Sequence, residues 1–287
     1  MTEEIMNKLK DGLHIIGNNP LLFAGTVITL FVVIVAIFAP FIAPYHPWKD
    51  ANLLHSLEPP SGKFLLGTDR QGRDLLSRII FGARISLMVG LVAQSINTLI
   101  GTILGLTAGI IGGKVDDLIM GLTNIMLSLP PLILALGIMA ALGPGLINIF
   151  IAVGFTYWTY TCRLTRGQTL TVKEKDFVEA ARAIGSSRIR VVVRHILPQV
   201  LGPVLVIATM GVASAILIEA ALSFLGVGTQ PPTPSWGSIL SRGRSYIWTA
   251  PWIMIFPGVA ISLTVLGVNL LGDGLRDILD PRLRRER

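Results

Sequence analysis

"LIMGLTNIMLSLPPLILALGIMAALGPGLINIFIAVGFTYWTYTC", residues 118–162, contains no Asp, Glu, Lys, Arg or His. In a soluble domain about one residue in four is charged, so a run of this length is not surrounded by water. A membrane-crossing helix needs about 20 apolar residues, so the run holds two spans. Gly143-Pro144-Gly145 breaks it and predicts a third span of the chain near 118–142 and a fourth near 146–162.

Working outward, further charge-free windows supply the other spans: Leu21–Ala43, Ile85–Ile111 between Arg84 and Lys114, about Gln199–Val227, and Pro251–Leu271. The charged fraction of the whole chain is 14% against 52% hydrophobic residues, which excludes a soluble fold. The expected fold class is an all-α integral membrane protein with six transmembrane helices. The apolar run at 21–43 exceeds the roughly 7–15 residues of a signal peptide core, and no small-residue cleavage site follows, so a secretory signal is not expected. Cys162 is the single cysteine, so an intrachain disulfide and a thiolate metal cluster are both excluded.

Six spans place both termini on one side. With the N-terminus inside, 16 of the 24 Lys and Arg fall on inner segments, against 8 outside. Cytoplasmic loops collect these residues, so both termini and the 163–198 segment are expected in the cytoplasm. The net charge of +7 then reflects orientation, with no nucleic-acid partner implied. The expected organisation is an amphipathic cytoplasmic N-terminus over 1–20, a first span over 21–43, an extracytoplasmic loop over 44–84, a transmembrane core over 85–272, and a basic cytoplasmic tail over 273–287. The prolines and mixed charges of 44–84 suit an ordered cap. Trp236, Tyr246 and Trp248 in the loop 228–250 suit the membrane interface.

Three features inside the spans invite a role. Gly101, Gly105 and Gly109 recur every four residues on one helix face, which lets backbones approach closely; packing within the subunit and a subunit interface both fit. Pro130-Pro131 removes a donor and disrupts the preceding turn, predicting a kink that either shapes the bundle or lines a pathway. Glu219 is the only acidic residue well inside a span, where an ionisable group needs a partner or a wet cavity. A functional group and a structural link between helices are both open for it, but a single carboxylate makes no proton relay. Catalysis finds little support. His14, His46, His55 and His195 all fall outside the spans, so no intramembrane Ser–His pair or histidine metal site can form. The nearest approach to a phosphate-binding loop, "AGIIGGKV" over 108–115, has Ala for the first Gly and Val for the metal-binding hydroxyl. No catalytic residue, metal site or bound cofactor is expected on this chain.

The segment "DFVEAARAIGSSRIRVVVRHILP", residues 176–198, reads differently from its surroundings. Phe177, Val178, Ala181 and Ile184 predict the apolar face of a short helix, and Gly185 suits the left-handed residue that ends it. Ser186 or Ser187 can cap a second short helix with Ile189, Val192, Val193 and Ile196 on one side, before Pro198 opens the fifth span. Two amphipathic helices and a tight turn predict a docking element for a soluble partner.

These residues resemble the cytoplasmic signature of permease subunits in ATP-binding-cassette importers. Glu179, Ala180, Ala181, Gly185, Leu197 and Pro198 fit the pattern, with His195 where the general pattern has Ile. The "RHILP" variant resembles the dipeptide/oligopeptide/nickel branch. "LLGTDRQGRDLLSRIIFGARISL" (65–87), "EAALSFLGVG" (219–228), "PSWGSIL" (234–240) and "GDGLRDILDPRL" (272–283) extend the likeness over nearly the whole chain. The N-terminal block and the last of these stretches resemble the C-type subunit. The resemblance implies the type I importer permease fold, a bacterial or archaeal cell (inner) membrane, and pairing with a second homologous permease subunit as a heterodimer. It implies two ATPase subunits that bind ATP and Mg²⁺, one of which receives the Glu179–Gly185 helix, and an extracytoplasmic substrate-binding protein. Di- and oligopeptides are the implied cargo. Nickel, free or chelated, is the alternative; a self-sufficient channel and a membrane hydrolase are the readings from other classes.

Overall fold

The protein, seen in a computed structural model, is described over residues 19–279. The expected amphipathic segment 1–20 and the basic tail fall largely outside these residues. Among them the chain is helical, with one isolated bridge between Thr68 and Asp74.

Local capping signals set the helix boundaries. Asn19 Oδ1 accepts the amides of Leu21 and Leu22, both at 3.2 Å, with Pro20 at the first helical position of α1, Pro20–Ile37. That satisfies amides that would be orphaned in hydrocarbon. A short turn, Ala39–Ile42, follows. Asp74 begins α2, Leu75–Ile111, accepting the Ser77 amide at 2.7 Å and the Ser77 hydroxyl at 2.6 Å. This corrects the expected loop over 44–84: the helix starts ten residues before Ile85 and carries Arg78 and Arg84 within it. At 37 residues it is about 55 Å long at 1.5 Å per residue, more than a bilayer core.

The expected third and fourth spans are both broken. Residues 118–142 form α3, Gly113–Leu127, and α4, Pro131–Leu142, at 92° to each other. The proline pair does not kink one helix; Pro131 takes the first position of a new one, where its missing N–H costs nothing. The Ser128 hydroxyl covers the Ile125 carbonyl at 2.7 Å. Residues 146–162 become α5, Leu146–Gly154, and the first part of α6, Trp158–Lys173. At this second break the Tyr157 amide donates to the buried Asn97 Oδ1 at 3.1 Å, and the Thr156 hydroxyl to the Ala152 carbonyl at 2.6 Å. Among the described residues four helices are long and apolar enough to cross a membrane unbroken, or five with the bent α3–α4 pair. Among these residues no sixth span passes that test, and α5 and α6 are separated at residues 155–157.

After the short helix α7, Asp176–Ala183, the chain forms one continuous helix α8, Arg188–Phe224. Pro198 therefore does not open a span: it lies inside one. A π turn over Val192–Ile196 lets the Leu197 amide reach the Val192 carbonyl, five residues back, and relieves the register in which the proline ring would strike a carbonyl. The chain ends in α9, Trp236–Gly243, and α10, Trp252–Leu279, which outruns the expected end at Leu271.

Helix α2 is the central pillar. Gly101, Gly105 and Gly109 all face α6: a Cβ at Gly101 would lie 2.6 Å from the Trp158 carbonyl oxygen, and one at Gly105 would lie 2.6 Å from Thr165 Cβ. All three glycines are buried inside the subunit. Arg166 closes the hairpin-proximal end by pairing with Asp116 of α3, and Lys173 Nζ donates to the Gly109 carbonyl at 3.2 Å. Gly25, Gly267 and Gly274 make a similar close approach between α1 and α10. Replacing Gly105 by Leu is expected to cost about 1–3 kcal/mol through overpacking. It should lower the unfolding temperature of the detergent-solubilised protein, while Gly121→Leu, where nothing lies within 4 Å of the added Cβ, should not.

Candidate functional site

The hairpin 176–196 stands at the end of the bundle where α2 meets Lys173. Gly185 has φ +83°, in the left-handed region that favours glycine, and the Ser186 amide reaches back to the Ala181 carbonyl at 3.1 Å. The Ser187 hydroxyl then accepts the Arg190 amide at 3.4 Å and caps α8. The helix–turn–helix expected from the sequence is present, but its apolar faces are assigned differently. Val178 and Ala181 are buried with Val172, Val191, Ile196 and Val200. Phe177 is exposed, and Ile184 and Ile189 are 83% and 78% exposed. Val193 is exposed as well. Val178, Ala181, Val191 and Ile196 anchor the hairpin, while Phe177, Ile184, Ile189 and Val193 are left exposed.

Of the residues fitting the importer signature, Glu179, Ala180, Gly185 and Pro198 lie on the surface, Leu197 is half-buried and Ala181 faces inward. Ala181 therefore serves as an anchor, while Ala180 is exposed between Glu179 and Arg182. His195, the departure from the general pattern, is half-buried with its ring 6.4 Å from that of Phe177, bridging α7 and α8.

The opposite end is built around Glu219. It is fully buried, and three hydroxyls donate to it: Ser223 at 2.7 Å, Ser86 at 3.2 Å and Thr229 at 3.4 Å. Ser86 also accepts the Trp236 amide at 3.4 Å, and Ser223 accepts the Thr229 amide at 3.1 Å. Sequence reasoning found the carboxylate but not its partners, because Ser86 lies 133 residues away. Trp236, expected at the membrane interface, is instead 2% exposed, with its indole N–H donating to the Ile79 carbonyl at 3.0 Å; Trp248 is 95% exposed. Pro130 is exposed and Pro131 half-buried at the α3–α4 bend, away from both groups. No cluster of His, Cys, Asp or Glu able to hold a metal occurs among the described residues.

A many-helixed bundle with broken inner helices and a projecting polar hairpin has known counterparts. The model of the binding-protein-dependent transport system inner membrane component matches residues 101–285, hairpin included, and that of the N-terminal membrane domain of oligopeptide transport permease C matches residues 9–60. The chain belongs to this permease family. The permease is 45% identical to the di/tripeptide transport system permease protein DppC of Pseudomonas aeruginosa, over 96% of this chain and 93% of that protein. It is 37% identical to the oligopeptide transport system permease protein OppC of Bacillus subtilis, over 99% and 93%. Those names bear out the expected branch and the C-type resemblance. In fold, the permease resembles a chain of the inward-facing MetNI methionine ABC transporter, with TM-score 0.60 and 18% identity over 72% of this chain and 98% of that one.

Glu219→Leu would leave three buried hydroxyls without their acceptor, and an unpaired buried polar group costs about 1–3 kcal/mol. Thermal unfolding in detergent should shift downward for Glu219→Leu and clearly less for Glu219→Gln, which keeps an acceptor oxygen.

Proposed function

We propose that the chain is the C-type permease subunit of a di- and oligopeptide importer of a bacterial or archaeal inner membrane. It pairs with a second, homologous permease, so that each supplies half of the pathway. Both termini and the 176–196 hairpin face the cytoplasm, and residues 43–74 and 225–251 face outward, where a substrate-binding protein delivers cargo. ATP and Mg²⁺ reside on two separate ATPase subunits, one beneath each permease, and this chain contributes no catalytic group to hydrolysis.

The observation that carries this reading is the hairpin itself. Exposed Phe177, Ile184 and Ile189 beside Glu179, Arg182 and Arg190 make a mixed apolar and charged surface. Burying such side chains on binding is favourable at about 25 cal/mol per Å² of apolar area, whereas a loop serving only as a linker would leave them in water at a cost in solubility. Orientation is supported by the Lys and Arg excess on the same side as the hairpin. The peptide cargo is supported by the named relatives of high identity and coverage.

Co-purification tests the assembly: two ATPase subunits and a second permease should accompany this chain, with vanadate-sensitive ATP hydrolysis. Recovery of the chain without any ATPase overturns the reading. Glu179→Lys and Gly185→Asp should leave membrane insertion intact, abolish peptide uptake and release the ATPase from the complex. Loss of the protein from the membrane would instead assign these residues to folding.

A further inference from the structure

At the end of the bundle opposite the hairpin, the segment 48–78 and the segment 231–253 enclose a cavity of about 480 Å³. Its wall holds Arg70, Arg73, Arg78 and Arg242 but a single carboxylate, Asp69. That carboxylate is fully engaged. Its Oδ2 receives Arg73 Nε at 2.8 Å and Nη2 at 2.6 Å and lies 3.4 Å from Arg78 Nε; its Oδ1 accepts the amides of Gln71 at 2.8 Å and Arg73 at 3.1 Å. Arg78 is 1% exposed, and its other partner is a neutral carbonyl, that of Pro47 at 3.1 Å. Arg242 has no carboxylate within ion-pair distance among the described residues. Burial, and then repulsion by Arg73, lower its pKa, against the opposing pull of Asp69. Three cations beyond the one carboxylate therefore share a half-enclosed space.

Such an excess is costly unless something anionic completes it. Guanidinium groups match carboxylates in shape, offering two parallel N–H donors to two oxygens. The remaining wall sets apolar and aromatic side chains, Trp48, Ile239, Tyr246 and Ile253, beside Gln71, Ser241 and Ser245. A volume of this size lies in the range of small-ligand pockets, about 300–1,000 Å³.

We propose that this cavity is a carboxylate-binding reception site for the C-terminal end of the peptide, with Arg242 as the free partner of the carboxylate. The site deepens the peptide-importer reading and rests on its orientation. Two features favour a peptide. The C-terminal carboxylate is the one anion common to di- and oligopeptides of any sequence. The apolar wall beside the arginines receives side chains without selecting among them. The cationic wall repels the α-ammonium end, so the peptide enters carboxylate first.

The test uses the complete complex, both permeases with their ATPases, in lipid nanodiscs without the binding protein. Calorimetric titration with trialanine should show binding, and trialaninamide should bind roughly tenfold more weakly or worse, the scale of one lost charge-assisted hydrogen bond. Arg242→Gln should weaken trialanine by a similar factor and remove the difference between the acid and the amide, while Arg242→Lys should retain most of it. Equal binding of acid and amide, no binding of trialanine to the unsubstituted complex, or an unchanged affinity in Arg242→Gln overturns the site. Affinity for the binding protein is measured in parallel. If Arg242→Gln weakens that affinity and leaves trialanine untouched, the cavity takes an acidic side chain of that protein and the inference fails. Uptake of trialanine driven by the binding protein separates the two readings. Uptake without discrimination at the cavity removes the site and keeps the importer. Arg242-dependent binding without uptake removes the peptide importer and keeps the site.

Discussion

A single carboxylate, satisfied by hydroxyls and by no cation among the described residues, organises the half of this protein opposite the hairpin. Glu219 accepts hydroxyls from α2, from α8 itself and from the loop that follows it. In hydrocarbon an ionisable side chain without partners is costly, so the three elements must arrive together or not at all. The same hydroxyls extend the network. Ser86 receives the amide of Trp236, and Ser235 lies 3.5 Å from Ser223, so the start of α9 is fixed by the atoms that satisfy Glu219. With α9 set, Trp236 fills the space between α2 and α8, packing with Ala83, Ile216 and Ala220. The segment carrying Arg242 is thereby held against the loop carrying Asp69 and Arg73.

The parts of the fold legible in the sequence are those governed by composition along the chain. Absence of charge located the hydrophobic windows, the Gly143–Gly145 turn was plain, and every fourth-residue glycine marked the face of α2 that meets α6. What stayed hidden depends on partners distant in sequence. Arg78 and Arg84 looked like loop charges, because nothing local announces that Asp69 and the Pro47 carbonyl receive Arg78 inside the protein. The break before α6 has no Pro or Gly signal at Phe155–Tyr157; it is tolerated because Asn97, on a different helix, accepts the freed amide. The hairpin failed in a different way. Over two turns, Phe177, Val178, Ala181 and Ile184 can all be drawn on one face, and only the tertiary partners Val191 and Ile196 decide that Val178 and Ala181 turn inward.

The breaks in α3–α4 and α5–α6 share a physical logic. Irregular backbone at membrane depth is tolerated where protein, rather than lipid, satisfies it. Ser128 does so at the first bend, and Asn97 with Thr156 at the second. Both breaks fall in the helices outside the α2–α8 pair, which remains unbroken through its full length. Short segments joined at hydrogen-bonded breaks can change their mutual angle at less cost than a continuous helix can bend, because the backbone bonds that resist bending are already interrupted. Two rigid helices flanked by two articulated ones suit a protein that must change shape without losing its core.

Helix α8 joins the two ends of the molecule. Its first residues carry the second arm of the hairpin, and its last turns carry Glu219; at 1.5 Å per residue its 37 residues extend about 55 Å. A displacement imposed on the hairpin passes to the Glu219 network only if that helix does not buckle. Two prolines lie within it, Pro198 and Pro203, and an ordinary α-helical register would place a ring against a carbonyl at each. At Pro198 the π turn removes that conflict by moving the Leu197 bond to Val192, so the helix runs on where the hairpin joins the span. Beyond the turn, Val200 and Val204 are buried against the core that holds the hairpin's own Val178 and Ala181. Hairpin and helix therefore share one buried core and do not meet at a loose joint.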